Sequence, residues 1–322
     1  MTIQTLNNQS TSNFCASLSD EFSNEFSKEL SVEFSIEDLI QQVDCLIQNT
    51  FLKQADISTQ QNICIEAVQY HFDSPGHQVR AKTCLDACIK LVVEYDDMLI
   101  LAAASELLHN ASLIHDDIQD EDETRRGQPT VWKKYGVNIA ICAGDLLLST
   151  AYGMLAGYSK TSQLPQIIST INKQARSAIE GQSLDVLFKN NPQLSLEQYV
   201  VIASQKSGAL FNLPIELALV AAGRNDCIEL ARKACADFAV GYQIADDLED
   251  IVKDGAHHHV SQSVNIAYVL KELGYKNAQQ QSAELCKQYL DHAIQNALLL
   301  PNNSGSMLVN LAENLKNTLS IH

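Results

Sequence analysis

The sequence predicts an all-α protein folded as a single large helical bundle. Apolar residues recur at three- and four-residue spacings along almost the whole chain beyond residue 36, the signature of helices with one buried face. Strict apolar/polar alternation, the strand signature, is missing over any useful length. The chain has only 13 Gly and 6 Pro in 322 residues. Both fall below the usual shares of about 7% and 5%, too few for a turn-rich β protein. A chain this long buries a large core, and no linker-like stretch interrupts residues 37–320.

In chain order, residues 1–19 are rich in Ser, Asn and Thr and are expected to be a disordered N-terminal segment, with residues 20–322 forming one all-α domain. A four-residue Glu-Phe-Ser repeat follows, placing Phe22, Phe26, Leu30 and Phe34 on one helical stripe suited to docking. Helical periodicity then predicts helices over 36–51, 62–72, 81–93, 98–114, 138–155, 167–187, 196–211 and 227–252. Turn-forming residues at 73–76, 126–129, 190–192 and 222–225 separate them, and 298–306 is a loop before a last helix.

Composition removes several function classes. Lys plus Arg is 22 against 39 Asp plus Glu, a formal net charge of −17. Such a surface repels phosphate backbones and anionic lipid, so no nucleic-acid partner is expected. No run reaches the roughly 18 consecutive apolar residues of a spanning helix, so no stable membrane insertion is expected. The first residues have neither the basic nor the apolar region of a secretory signal. The nine Cys are scattered without a C-x-x-C pair, as in a cytoplasmic protein with reduced thiols. Cys84 and Cys88 share a helix face, too few ligands for zinc.

Two carboxylate triplets carry the chemistry. Asp116, Asp117 and Asp120 form DDxxD after an apolar run, and Asp246, Asp247 and Asp250 repeat it 130 residues on. Residues four apart on a helix lie one above the other, so the first and last Asp of each triplet project together. Clustered like charges are destabilising without a cation, and hard oxygen ligands suit Mg²⁺ shared with substrate phosphates. The two triplets are thus expected to wall one cavity and grip a polyphosphate through Mg²⁺, which is how so acidic a protein would bind an anion.

With Arg125-Arg126-Gly127 after the first triplet and Gln243 before the second, the sequence resembles the trans-prenyl diphosphate synthases (polyprenyl synthetase family) over about residues 60–270. The resemblance implies helices around a deep central cavity, as in isoprenoid synthases, a homodimer, and Mg²⁺, three ions per site. It implies that isopentenyl diphosphate and an allylic prenyl diphosphate are the substrates. By the same resemblance Arg125 meets the allylic diphosphate, Arg126 and His109 meet isopentenyl diphosphate, and Lys206, followed by Ser207, meets the leaving diphosphate. Gln182, in Gly181-Gln182 with Asp185, and Gln243 would line the cavity.

Two stretches depart from the family pattern. Its basic motif G-G-K-R-x-R-P is here Pro75-Gly76-His77-Gln78-Val79-Arg80-Ala81, which keeps Arg80 but places His77 where Lys is usual. An imidazole is cationic only below about pH 6.5 unless neighbours raise its pKa, and His77 is expected to donate to the diphosphate with weaker, more pH-dependent binding. After Asp250 the usual Gly-Lys is replaced by Lys253 and then Gly255-Ala256-His257-His258-His259, read as a loop over the site.

The implied reaction is electrophilic alkylation. Mg²⁺ held by Asp116, Asp120 and Asp246, with Arg125 and Lys206, would offset charge on the departing diphosphate; the isopentenyl double bond attacks the allylic cation and a proton leaves. Cavity depth would set product length. Ala111 and Ser112, just before the first triplet, are small. Leu108 is the first sizeable side chain, about 12 Å down at 1.5 Å per residue. That favours geranylgeranyl over farnesyl diphosphate. A class I terpene cyclase would not need Arg80, His109 and Arg126, and an inactive regulatory subunit would not need two whole triplets.

Overall fold

The computed structural model describes residues 35–55, 62–74, 76–189, 194–254 and 265–319. Expectations for residues 1–34, for the side chain of Lys253 and for 255–259 lie outside the described residues. As the periodicity predicts, the architecture is helical: α1 Ile36–Ala55, α2 Ile63–Phe72, α3 Val79–Lys90, α4 Tyr95–Gln119, α5 Val131–Tyr135, α6 Val137–Met154, α7 Leu164–Phe188 and α8 Leu196–Ala203. A π-helical turn, Ser204–Gly208, leads into α9 Ala209–Ala221, followed by α10 Ile228–Asp254, α11 Ile266–Glu272, α12 Ala278–Leu298 and α13 Ser306–Leu319.

Local chemistry sets several starts. Ser35 and Asp38 exchange hydrogen bonds across the first turn of α1, a capping box with Asp in place of Glu. Asn62 caps α2 by accepting from the N–H groups of Cys64 and Ile65, and Ser195 with Gln198 forms a capping box on α8.

Two helices make the centre. In α4 the run Leu101–Ala104 and Leu107 are fully buried, and every residue of α9 is buried. Helices that are apolar all round belong in the middle of a bundle. Around this pair, α1, α3 and α6 pack on α4, while α3, α7 and α10 pack on α9; α12 lies along α10 and α13 against α12.

Two predictions are corrected. The helix expected over 196–211 is a longer helical path that widens into the π turn and runs past Pro214 to Ala221. The loop at 126–129 is half of a small antiparallel hairpin, Thr124–Arg125 with Gln128–Pro129, closed by Arg126 and Gly127 at φ 52° and 76°. Two central residues with positive φ match the right-handed twist of the strands, and Gly127 takes the second position without a Cβ penalty.

Candidate active site

Helix α4 carries the first triplet at its C-terminal end. Asp116 and Asp117 occupy the last turn and Asp120 is the cap residue, its N–H still donating to the Asp116 carbonyl at 2.8 Å. The helical spacing of 116 and 120 is therefore preserved. Asp117 is engaged differently. It is 1% exposed, and its Oδ1 accepts from Nε (2.8 Å) and Nη2 (2.6 Å) of Arg125 on the hairpin. Its Oδ2 is buried without a hydrogen-bond partner. Burial lifts the Asp117 carboxyl above the usual range despite the Arg125 hydrogen bond. Burial also pushes Asp116 up to about 7; Lys206 and Arg125 pull it down, while Asp120 and Asp117 push it further up.

The second triplet lies on α10. Asp247 is 4% exposed and both of its oxygens are engaged by the protein: Oδ1 accepts from Gln243 Nε2 (3.0 Å), and Oδ2 accepts from the Tyr199 hydroxyl (2.8 Å) and the Ile266 N–H (2.8 Å). Burial pushes Asp247 up to about 7 against the pull of those three donors. Asp246 is exposed and Asp250 half-buried. The middle aspartate of each triplet, grouped with the metal-facing carboxylates from the sequence, is thus held by protein donors.

One helical path joins the two triplets. Tyr199 on α8 meets Asp247, and Lys206, seven residues on, lies in the π turn. Its Nζ is 2.6 Å from Asp185 and 3.8 Å from Asp120. Burial alone would lower the Lys206 pKa, but Asp185, Asp120 and Asp116 raise it above the ordinary value, so the ammonium is kept charged. Lys189, at the end of α7, reaches Asp120 at 3.3 Å. Close approach of α7 makes this possible: a Cβ on Gly181 would sit 2.3 Å from the Lys206 backbone nitrogen. The neighbouring Gln182 is 7% exposed with neither amide atom hydrogen-bonded, and Ser207 is half-buried in the same turn.

A basic pocket lies beside the first triplet. Arg80, the second residue of α3, lays its guanidinium over the Phe211 ring at 4.1 Å. Burial lowers it to about 10, with Glu106 and Tyr242 opposing the shift. Arg126 donates to the Ser74 carbonyl (2.6 Å) and lies so close to Gly76 that a Cβ there would be 2.2 Å from Nη2. His109 is kept neutral, its pKa well below normal through burial and then Arg80, Arg126 and Arg125, and its Nδ1 is buried with no partner. His77 is exposed in the loop before α3. Gln78 turns away from the pocket, donating to Asp44 of α1 at 2.5 Å.

Tyr242 marks where the halves meet. Its hydroxyl feels Asp246 and Glu249 of its own helix and Arg80 and Arg125 from across the site, and its ring packs edge-on to Phe211 at 5.7 Å. Of the chain-length candidates, Leu108 and Ala111 lie in the buried body of α4, and half-buried Ser112 donates to the His109 carbonyl.

The residues fit a hard divalent cation. The donors, Asp116, Asp120 and Asp246, are all carboxylates, and burial pushes Asp116 up to about 7 against the pull of Lys206 and Arg125. Among the described residues, no three metal-capable side chains already converge on one point.

Sequence reasoning missed Tyr199, Lys189, Asn265 (whose Nδ2 donates to the Asp247 carbonyl) and the buried set Glu106, Asn110 and His71. Glu106 alone had a local signal, a carboxylate in the middle of an apolar helix.

A family model described as polyprenyl synthetase matches residues 61–263. A short chain isoprenyl diphosphate synthase from Methanocaldococcus jannaschii is 36% identical over 165 residues, 50% of this chain and 49% of that one. A geranylgeranyl diphosphate synthase from Sulfolobus acidocaldarius is 33% identical over 193 residues, 59% of this chain and 58% of the other. The match thus spans only about half the length of these relatives. A crystal structure of a geranylgeranyl pyrophosphate synthase superposes with TM-score 0.75 at 21% identity, covering 88% of this chain and 99% of that one. The Thermotoga maritima geranyltranstransferase gives 0.72 at 24% identity, covering 89% and 99%. At these identities the structural likeness speaks for the fold.

Proposed function

The chain is a member of the polyprenyl synthetase family, and on that footing we propose that it condenses isopentenyl diphosphate head to tail with an allylic diphosphate, giving a trans-polyprenyl diphosphate. The observation that carries this reading is the pairing of two unlike clusters: Lys206 among the carboxylates of Asp185, Asp120 and Asp116, and the basic set Arg80, Arg126 and His109. A diphosphate needs cations at both, and the two sites supply them differently.

Asp116, Asp120 and Asp246 would hold Mg²⁺, three ions by the family pattern, with Asp250 beside them. When bound, the metal neutralises the allylic diphosphate and makes it a better leaving group. Asp117 orients Arg125, and Asp247, held by Tyr199 and Gln243, fixes the turn of α10 that presents Asp246. Lys206 and Arg125 offset charge that builds as the carbon–oxygen bond breaks, at fixed positions and without reorganisation. Arg80, Arg126, His77 and His109 hold the second diphosphate, so that the isopentenyl double bond is aimed at the allylic carbon. The new carbon–carbon bond forms from that double bond, and the proton then lost passes to the released diphosphate.

Small Ala111 and Ser112 support geranylgeranyl diphosphate as product, in line with several relatives named for it. Exposed apolar residues on α6 (Val137, Ile141) and α7 (Ile168, Ile179, Val186, Leu187) support a homodimer. Eight described cysteines, all free thiols, support a cytoplasmic location. The test is incubation with labelled isopentenyl diphosphate, Mg²⁺ and dimethylallyl, geranyl or farnesyl diphosphate, followed by chromatography. Elongated linear products are expected; cyclic hydrocarbons or unchanged substrates would overturn the reading.

A further inference from the structure

Glu106 has no part in the chemistry above, yet it is a carboxylate 5% exposed beside a pocket for an anion. Burying such a group is costly unless it is paired and hydrogen-bonded, and next to a diphosphate it also repels the ligand. Its contacts give the reason for its presence. Oε2 accepts from the Ala81 N–H at 3.1 Å. That N–H belongs to the first turn of α3, whose own cap residue, Gln78, has φ 51° and makes no side-chain capping bond. Glu106 therefore caps α3 from a neighbouring helix, next to Arg80.

Oε1 accepts from Asn110 Nδ2 at 3.1 Å, which leaves Asn110 Oδ1 to accept from His71 Nε2 at 2.9 Å. His71 lies in the last turn of α2, three residues before Ser74, the residue whose carbonyl holds Arg126. His109 stands one turn beyond Glu106 on α4 itself. One carboxylate thus ties α3, which carries Arg80, and, through Asn110 and His71, α2, which leads to the Ser74 carbonyl that holds Arg126, to the helix that carries His109. Its charge also attracts the Arg80 guanidinium, whose Nε has no hydrogen-bond partner.

We propose that Glu106 is the positioning residue of the second diphosphate pocket: through Ala81 and the Asn110–His71 chain it holds Arg80, Arg126 and His109 in binding geometry before the anion arrives. That this basic cluster receives a diphosphate rests on the proposed function; the hydrogen-bond network that orders it does not. Placing cations in advance removes part of the cost of binding.

The test compares wild type with Glu106→Gln, which keeps the shape but turns one acceptor into a donor facing another donor. Calorimetry with inorganic diphosphate in EDTA reads the basic pocket without metal at the aspartates. Affinity is expected to fall about tenfold, the scale of one unsatisfied buried hydrogen bond. In turnover, the KM for isopentenyl diphosphate should rise by a similar factor while kcat and the allylic KM change less than about twofold. A purely structural role would instead lower the melting temperature and kcat and leave both KM and diphosphate affinity alone; that result overturns the proposal. Should Glu106→Gln not fold, Asn110→Ala cuts only the His71 branch. It is expected to weaken diphosphate about threefold, and wild-type affinity there overturns the proposal equally. If wild type makes no elongated product, the proposed reaction fails, and the diphosphate titration still decides the role of Glu106.

Discussion

His71, buried beside the basic cluster, links stability to pH. Its imidazole is held down to about 4, first by burial and then by Arg126 and Arg125, against the Asn110 hydrogen bond. Because the folded value lies below the unfolded 6.5, the stability this group contributes is present above pH 6.5 and is lost as pH falls toward 4. Up to about 3 kcal/mol is at stake. His71→Gln keeps a donor for Asn110 and cannot charge, so its melting temperature should fall less between pH 6.5 and 4.5 than that of wild type; equal slopes would refute the assignment. A second residue-scale outcome concerns His77. A permanent cation there should lower the KM for isopentenyl diphosphate at pH 8, so steady-state kinetics of His77→Lys should show tighter apparent binding. Both triplets, Lys206, Arg125, Arg126 and Gln182 were legible because each belongs to a short local pattern. Glu106 with Ala81, and Tyr199 with Asp247, lie 25 and 48 residues apart, and nothing in a local spacing announces such pairs.

Among the elements, the π turn between α8 and α9 aims Lys206. Wider turns of this kind inside helices often sit at functional sites. The sequence periodicity was continuous through this segment, since one extra residue in a turn shifts a helical stripe without erasing it. Close passage of α7 fixes the turn's position, so a methyl group on Gly181 must push the Lys206 backbone aside. Gly181→Ala is expected to cost about 1–3 kcal/mol of stability, as overpacking does, and to reduce kcat more than either KM; denaturant melts and steady-state kinetics check both. Along α4, Ala111 lies one turn above Leu108 and both are buried; on the proposed function a bulky side chain at 111 shortens the space for the growing chain. Ala111→Phe should shift the product toward shorter chains on chromatography, and an unaltered profile would remove it as a determinant.

At the scale of the whole molecule, helices α4 and α6 are both long and apolar enough to cross a membrane by length and composition alone. Their settings differ: 78% of the most apolar stretch of α4 is buried within the protein, against 44% for the stretch that begins with α6. The first is explained by the core, and the second leaves apolar surface that a second copy would cover. Ile141, 42% exposed on α6, offers the corresponding test. On the proposed homodimer, Ile141→Glu should shift the sedimenting mass from dimer to monomer, and an unchanged mass would place the contact elsewhere. The all-α class was plain from periodicity, but how the helices pair was not, because packing depends on residues distant in sequence.

The tight hairpin after α4 has a last consequence. Two consecutive guanidiniums leave it for different destinations, Arg125 inward to Asp117 and Arg126 outward over Gly76. Inserting or deleting a single amino acid between α4 and this bend would misdeliver both, so the number of residues there is under tighter constraint than their identity.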